Sequence, residues 1–279
     1  MNHTPVLLTE MLAALSPHKG NVYIDGTFGG GGYTRAILQT GARVIAFDRD
    51  PFVRQFSDGI DLIQAPFSQM AQHVHEKVDG IVFDFGVSSF QIDTPDRGFS
   101  FQQDGPLDMR MGKGELTAAL VLNTYAEKNL ADIIYTYGEE RSSRFIAKLI
   151  VENRPFHTTK KLADLLAKHL KGKPHLHPAT LTFQALRIYV NDELQEIQDG
   201  LTAALSLLKP GGRLVTVSFH ALEDRIVKQF FKTHNLESLY KRVITPSQQE
   251  IKLNPRARSA RLRCGIIPGR LILPAPSDH

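Results

Sequence analysis

The segment richest in chemistry is Asp25-Gly26-Thr27-Phe28-Gly29-Gly30-Gly31-Gly32-Tyr33. It follows a short apolar run, Val22–Ile24, and leads into a helix-compatible segment, Tyr33–Thr40. Five glycines in that place let the backbone approach a ligand closely, and a helix N-terminus favours negative groups. The spacing G-x-G-x-x-G does not occur, because the last glycine is missing whether the count starts at Gly29, Gly30 or Gly31. Asp48 closes a second apolar run, Arg43–Phe47. A carboxylate there can accept hydrogen bonds from two ribose hydroxyls, in NAD, FAD or S-adenosylmethionine alike. Asp84 lies near the end of a further run, Gly80–Phe85, at the edge where open α/β sheets bind ligands, and can meet a cofactor's amine or its adenine side. Both acids also have plain readings, Asp48 as a turn residue before Pro51 and Asp84 as an Asx turn or helix cap.

The elements that must position these residues follow from periodicity. Val22–Ile24, Arg43–Phe47, Ile60–Gln64 and Gly80–Phe85 read as strands, separated by the helix-compatible segments Tyr33–Thr40, Pro51–Phe56 and Ser68–His75. That alternation predicts a parallel sheet with helices on both faces. From about Asp104 to Lys173 no strand pattern occurs, and Leu116–Thr124, Leu130–Tyr137, Ser142–Asn153 and Thr159–Leu170 are apolar at helical spacing. We expect an all-helical insert over 104–176 and a discontinuous α/β domain over 1–103 and 177–279. Ala179–Leu208 reads as one long amphipathic helix stopped by Lys209-Pro210-Gly211-Gly212. Arg213–Phe219 is a buried-strand run, Leu222–Lys232 a helix, and Leu239–Thr245 with Ala260–Gly265 a closing antiparallel pair. A turn at Leu208–Arg213 before the fifth strand, with the glycine loop and the two strand-end acids, favours S-adenosylmethionine over nicotinamide. The Asp/Asn-Pro-Pro-Tyr/Phe motif of DNA amino-methyltransferases is absent, since the corresponding residues are Asp84-Phe85-Gly86-Val87.

Composition narrows the class. The 279 residues are 42% apolar, enough for a core, and hold one cysteine, Cys264, which excludes a disulfide framework and a Cys-based zinc site. No basic leader precedes an apolar stretch in Met1–Pro5, and no apolar run reaches the ~18 residues of a membrane span. We expect a soluble cytoplasmic protein without a membrane partner. The net charge is +4, but Tyr240–Leu271 carries eight basic residues against one acid, Glu250, a charge of +7 that leaves −3 for the rest. A basic tail on an acidic body suggests a polyanionic partner. His73/His75 and His175/His177 lack the neighbours of a metal site and read as surface residues.

Longer motifs run through the whole chain. They are His3–Leu8, DGTFGGGGYT (Asp25–Thr34), FDRDP (Phe47–Pro51), FDFGVSSFQID (Phe83–Asp93) and RGFSFQQDGPLDMRM (Arg97–Met111). Then come YGEERSSRFIAKLIVENR (Tyr137–Arg154), HPATLTFQALRIYVNDEL (His177–Leu194), PGGRLVTVSFHALEDRIVKQF (Pro210–Phe230) and NPRARSARLR (Asn254–Arg263). In this order they resemble the bacterial small-subunit ribosomal RNA cytosine-N4 methyltransferase family (MraW/RsmH), from His3 to about Arg263. The resemblance implies a class I S-adenosylmethionine-dependent methyltransferase, Rossmann-like, with a mostly parallel seven-stranded sheet and an inserted all-helical domain for substrate recognition. It implies methyl transfer to the exocyclic N4 of a decoding-centre cytidine in 16S rRNA of the small ribosomal subunit. Gly31, Gly32 and Tyr33 match the family's methionine-side loop, Asp48 its ribose acid, Phe67 its adenine contact, and Asp84 and Gln91 its remaining cofactor positions. The family's loop commonly ends Gly-Gly-His, whereas this one ends Gly32-Tyr33. A backbone contact survives that change and a proton-handling role does not.

Cytosine N4 is a poor nucleophile because its lone pair is delocalised into the ring. The protein must align N4 with the methyl group and place an acceptor near the N4 protons, on a base taken out of its stack. Asp84, Ser218 and His220 are the weak candidates for that work; Ser218-Phe219-His220 also reads as capping before the next helix. Arg110, Arg141, Arg144, Arg256, Arg258 and Arg261 are candidate phosphate contacts, each also readable as a plain surface charge. The competing readings are a class I methyltransferase acting on another RNA or a small molecule, a nicotinamide oxidoreductase, and a non-catalytic RNA-binding module.

Overall fold

The computed structural model describes residues 5–172 and 176–269. Met1, His3, Lys173, His175 and Leu271, named above, lie outside them. In chain order the first segment runs α1 (Leu8–Leu15), β1 (Val22–Asp25), α2 (Gly32–Leu38), β2 (Arg43–Phe47), a 3-10 turn (Pro51–Phe56), β3 (Leu62–Ile63), a 3-10 turn (Phe67–Gln69), α3 (Met70–His73) and β4 (Val78–Asp84). Six helices follow: α4 (Ser89–Asp93), α5 (Ala118–Thr124), α6 (Glu127–Gly138), α7 (Ser143–Glu152), α8 (Thr159–His169) and α9 (Thr180–Asn191). The chain ends with α10 (Glu193–Leu207), β5 (Leu208–Ser218), α11 (Ala221–Thr233), β6 (Glu237–Ser238), α12 (Gln248–Leu253), a 3-10 turn (Pro255–Ser259) and β7 (Arg261–Ile266).

The seven strands form one sheet in the order β3-β2-β1-β4-β5-β7-β6. β1 to β5 are parallel, and β7 is antiparallel to both β5 and β6. Neighbouring strand residues fall into different cores, as the two-residue period of a strand requires. Ile24, Ile45, Ile81, Phe83 and Leu214 pack with α10 and α11 residues Ile197, Leu201, Val227 and Phe231. Tyr23, Val44, Val82, Val215 and Val217 pack with α1 and α2 residues Met11, Leu15, Tyr33 and Ile37. Both faces are covered, which is why these strands read as continuous apolar runs.

The helical residues form their own core, with Leu107, Val121, Ile134, Ile146, Ile150, Phe156, Leu162 and Leu186 buried together. Contacts divide the chain into one unit of 1–86 and 194–279 and another of 87–193. The helical unit is therefore longer at both ends than 104–176. Phe99 and Phe101 pack against its core, α9 supplies Phe183 and Leu186, and Gly138 of α6 lies against the Leu181 carbonyl of α9.

Three local expectations are corrected. The single helix over 179–208 is two, because Asp192 takes a left-handed conformation with φ 50°. The bidentate Arg187–Glu193 ion pair, 2.8 Å at both oxygens, spans that break. Apolar spacing continues across it, so periodicity alone could not locate it. The Pro-Gly segment 209–212 does not precede the fifth strand but bulges from within it: Leu208 pairs with Val78 and Arg213 with Gly80, so four β5 residues stand opposite Asp79 alone. The closing pair uses Glu237–Ser238 rather than Leu239–Thr245, where Ile244 makes an isolated bridge to Leu262. No helix among the described residues is long and apolar enough to cross a membrane.

Candidate active site

The ends of β1, β2 and β4 are stitched together by the glycine loop. Asp25 is fully buried; its Oδ1 accepts the Thr27 N–H at 3.1 Å and its Oδ2 accepts the Thr34 hydroxyl at 2.7 Å. Burial raises its pKa, against those hydrogen bonds. The Gly26 N–H donates to the Val82 carbonyl at 2.9 Å, and a Cβ on Gly26 would overlap the Phe83 ring. Thr27 Oγ1 accepts the Asp84 N–H at 2.6 Å, and the Phe28 N–H donates to the Phe47 carbonyl at 2.9 Å. The Gly29 N–H donates to Asp48 Oδ2 at 2.8 Å. Gly29 and Gly31 have φ of 52° and 74°, the left-handed conformation that favours glycine. Gly31 is the N-cap of α2, so the N–H groups of Gly32 and Tyr33 in its first turn have no partner within the helix.

The side chains around this loop differ in what they have left to give. Asp48 Oδ1 accepts the Asp50 N–H at 2.8 Å, so each oxygen holds one backbone donor and retains a lone pair. Burial outweighs those bonds and pushes its pKa up to about 6. Asp84 Oδ1 is buried with no hydrogen-bond partner among the described residues. Burial first, then the nearby Asp25 and Glu223 carboxyls, hold the Asp84 pKa well above the ordinary carboxylate range. An unpartnered carboxylate oxygen among other carboxyls is a site for a cation or an N–H donor. Phe67 packs its ring on Phe83 and Phe85, with centroids 4.9 and 6.0 Å apart, and remains half-buried.

Several expected site residues have structural tasks. The Tyr33 ring is buried in the core and its hydroxyl donates to the Val6 carbonyl, so its backbone is what it can offer a ligand. Burial and the carboxylates around it push its pKa well above that of a free tyrosine. Gln91 lies in the helical unit, where it forms a capping box: Ser88 N–H donates to its Oε1 at 2.9 Å and its own N–H donates to Ser88 Oγ at 3.3 Å. Ser218 is buried at the end of β5. His220 is the N-cap of α11, its Nδ1 accepting the Glu223 N–H at 3.5 Å. The plain capping reading of Ser218-Phe219-His220 therefore describes His220. Two contributors were missed in the sequence. One is Thr27, which ties the loop to β4. The other is Glu223, whose Oε2 accepts the Phe219 and His220 N–H groups at 2.6 and 3.3 Å. A residue of capping type followed three positions later by Glu, His220-x-x-Glu223, was the available signal.

The arginines divide as well. Arg110 is held by Asp108 through two hydrogen bonds, 2.8 and 2.6 Å, and its third nitrogen donates to the Gly114 carbonyl at 2.7 Å. Arg261 pairs with Asp224 at 3.4 Å, beside Arg263, which holds the same carboxylate at 2.7 and 3.1 Å. The charge of these two candidates for phosphate contact is met within the protein. Arg141, Arg144, Arg256 and Arg258 are exposed.

A family model described as the MraW methylase family matches residues 1–266. The chain belongs to this family. The reaction class is thus methyl transfer, the cofactor is S-adenosylmethionine, and the nicotinamide alternative falls. Among similar proteins, a Caulobacter vibrioides protein named Ribosomal RNA small subunit methyltransferase H is 48% identical, with 95% of each chain covered. One of the same name from Bartonella bacilliformis is 50% identical over 95% of this chain and 89% of its own. Solved structures similar in outline include an rRNA methylase from Streptococcus thermophilus, 11% identical, covering 96% of this chain and 99% of its own with a TM-score of 0.45. Another is the N-methyltransferase NodS from Bradyrhizobium japonicum with S-adenosyl-L-homocysteine, 10% identical, covering 96% and 90%, TM-score 0.46. The strand order, with β7 antiparallel, is the class I methyltransferase sheet that the sequence resemblance implied. The residues at its edge suit S-adenosylmethionine. Asp84 Oδ1 is a buried acceptor without a partner among the described residues, which suits a cationic group, and Asp48 keeps a lone pair on each oxygen, which suits hydroxyl donors.

Proposed function

We propose that this protein methylates the exocyclic N4 of a decoding-centre cytidine in 16S rRNA of the small ribosomal subunit, in the cytoplasm. One observation carries the reading. A buried edge that joins the glycine loop, Asp48 and Asp84 belongs to a chain 48% identical, end to end, to a protein named for methylation of small-subunit ribosomal RNA. S-adenosylmethionine, when bound, supplies the methyl group. The Gly31–Tyr33 backbone holds its methionine end, Asp48 its ribose, and one face of Phe67 its adenine. Asp84 accepts an N–H from the cofactor's ammonium or from the cytosine amino group. Gln91, matched by resemblance to a cofactor position, acts through the capping box it makes with Ser88. Ser218 and His220 shape the end of β5 rather than carry protons.

The helical unit, with exposed Arg141 and Arg144, and the exposed Arg256 and Arg258 serve the RNA. Polyanion binding by such residues releases counterions and weakens steeply with salt. The test is incubation of the protein with labelled S-adenosylmethionine and small subunits lacking the modification, followed by digestion and identification of nucleosides by mass. Label in N4-methylcytidine is expected. No label while the cofactor still binds would overturn the substrate, and label in another nucleoside would redirect the reading to a different RNA position.

A further inference from the structure

Leu253, at the end of α12, is 81% exposed, the most exposed of the large apolar side chains described. It does not sit on a slack loop. Ser247 Oγ caps α12 by accepting the Glu250 N–H at 3.1 Å, and Asn254 N–H closes the helix on the Glu250 carbonyl at 2.7 Å. Asn254 Oδ1 then caps the following 3-10 turn by accepting the Arg256 N–H at 3.2 Å, with Pro255 at its first position and Ala257 buried as its anchor. Leu253 is thus held out on a rigid corner between two capped turns.

Around it the exposed charged side chains are cationic: Lys252, Arg256 and Arg258. The nearby acid, Glu250, is turned inward and accepts the Leu7 N–H at 2.8 Å. The corner also has a defined place. The 3-10 turn leads into Arg261, which pairs with Ser218, the last residue of β5, at the edge where Asp84 also lies. Leu7, which Glu250 holds, adjoins Val6, whose carbonyl accepts the Tyr33 hydroxyl from the first turn of α2. An apolar tip inside a basic rim, on the catalytic edge, has the chemistry of a wedge for nucleic acid. Cations hold the phosphates while the apolar group enters a base step and offsets its unstacking. A target base must leave its stack before its amino group can be reached, so such a wedge has a task here.

We propose that Leu253 enters the RNA next to the target nucleotide and stabilises its unstacked form, with Lys252, Arg256 and Arg258 gripping the flanking phosphates. The inference rests on the rRNA reading above. The test compares wild type with Leu253→Ala, Leu253→Met and Lys252→Ala/Arg256→Ala/Arg258→Ala on small subunits lacking the modification, with S-adenosylmethionine affinity measured for each. Leu253→Ala is expected to lower kcat about tenfold with KM changed less than twofold, Leu253→Met to restore kcat, and the triple variant to raise KM at nearly constant kcat. Cofactor affinity stays unchanged throughout. Label by wild type with Leu253→Ala equal to it in both constants would overturn the wedge alone. If wild type fails to label, the rRNA reading and the wedge fall together. A change of oligomeric state in Leu253→Ala, seen by sedimentation, with turnover intact would make the corner a protein contact and overturn the inference.

Discussion

Asp48 and Asp84 close neighbouring parts of one sheet edge, yet the protein treats them differently. Asp48 is half-buried and has a backbone donor on each oxygen; Asp84 is half-buried, and its buried Oδ1 is unmet among the described residues. A carboxyl whose pKa is raised in the folded chain binds its proton more tightly there than in the unfolded chain. Its contribution to stability is full below the unfolded value and is lost as pH rises through the folded one. For Asp48 that window runs from 3.8 to about 6. Asp48→Asn, which mimics the protonated form, is therefore expected to gain stability relative to wild type between pH 4 and 7.5, on the order of 2–3 kcal/mol. It is also expected to weaken cofactor binding. Urea unfolding of both proteins at the two pH values measures this, and an equal gap at both would remove Asp48 as the source. Asp84 has a stronger version of the same conflict. A bound cation offsets the burial and carboxylate repulsion that keep it protonated, so cofactor affinity should rise with pH in wild type. Asp84→Asn should bind at least tenfold more weakly near neutrality, with little pH dependence, by titration calorimetry. Parallel pH profiles for the two proteins would place the binding charge elsewhere.

At the scale of elements, glycine and helix breaks decide what a helix can touch. Gly200 lies inside α10, where Ala would ordinarily add stability, about 1 kcal/mol. Here a Cβ would overlap the Phe67 ring, which is already packed on Phe83 and Phe85. Gly200→Ala is expected to destabilise the chain and to weaken cofactor binding through displacement of Phe67, while Gly200→Ala combined with Phe67→Leu recovers stability but not affinity. Thermal unfolding and cofactor titration of the single and double variants separate those effects; a more stable single variant would show that Phe67 moves freely. This contact was not legible in the sequence, since it joins residues far apart in the chain. The strands were legible because both faces are buried, and the glycine loop with Asp48 and Asp84 because strand ends announce themselves as acids after apolar runs. The break at Asp192 and the bulge at 209–212 were not, because backbone conformation interrupts each without interrupting the apolar pattern. Capping hid the task of Gln91 in the same way, since its side chain serves a backbone group three residues away, which a motif match does not reveal, whereas the capping task of His220 was open to reading from the sequence.

At the scale of the molecule, charge asymmetry was visible in the sequence but its usable part was not. Of the eight cations between 240 and 271, Arg261 and Arg263 are held by Asp224, while Lys241, Arg242, Lys252, Arg256 and Arg258 are exposed. In the helical unit, Arg110 is neutralised by Asp108 while Arg141 and Arg144 stand exposed. A cation already paired inside the protein releases no counterion from RNA unless it first breaks its pair, so it adds little to the salt dependence of binding. Each phosphate contact contributes about −0.7 to −0.9 to the slope of log affinity against log salt. Arg144→Ala/Arg258→Ala should therefore make the slope less negative by about 1.4–1.8 for binding to unmodified small subunits. Arg110→Ala and Arg261→Ala should leave the slope within the error of wild type. Arg110→Ala should lower stability instead, because Asp108 would lose two of its charged partners' hydrogen bonds and keep only the backbone N–H of residue 110. Filter binding across a salt series, paired with urea unfolding, reads both effects. Equal slope changes for the paired and the exposed arginines would mean that RNA competes successfully for the paired ones, and that the ion pairs to Asp108 and Asp224 open on binding.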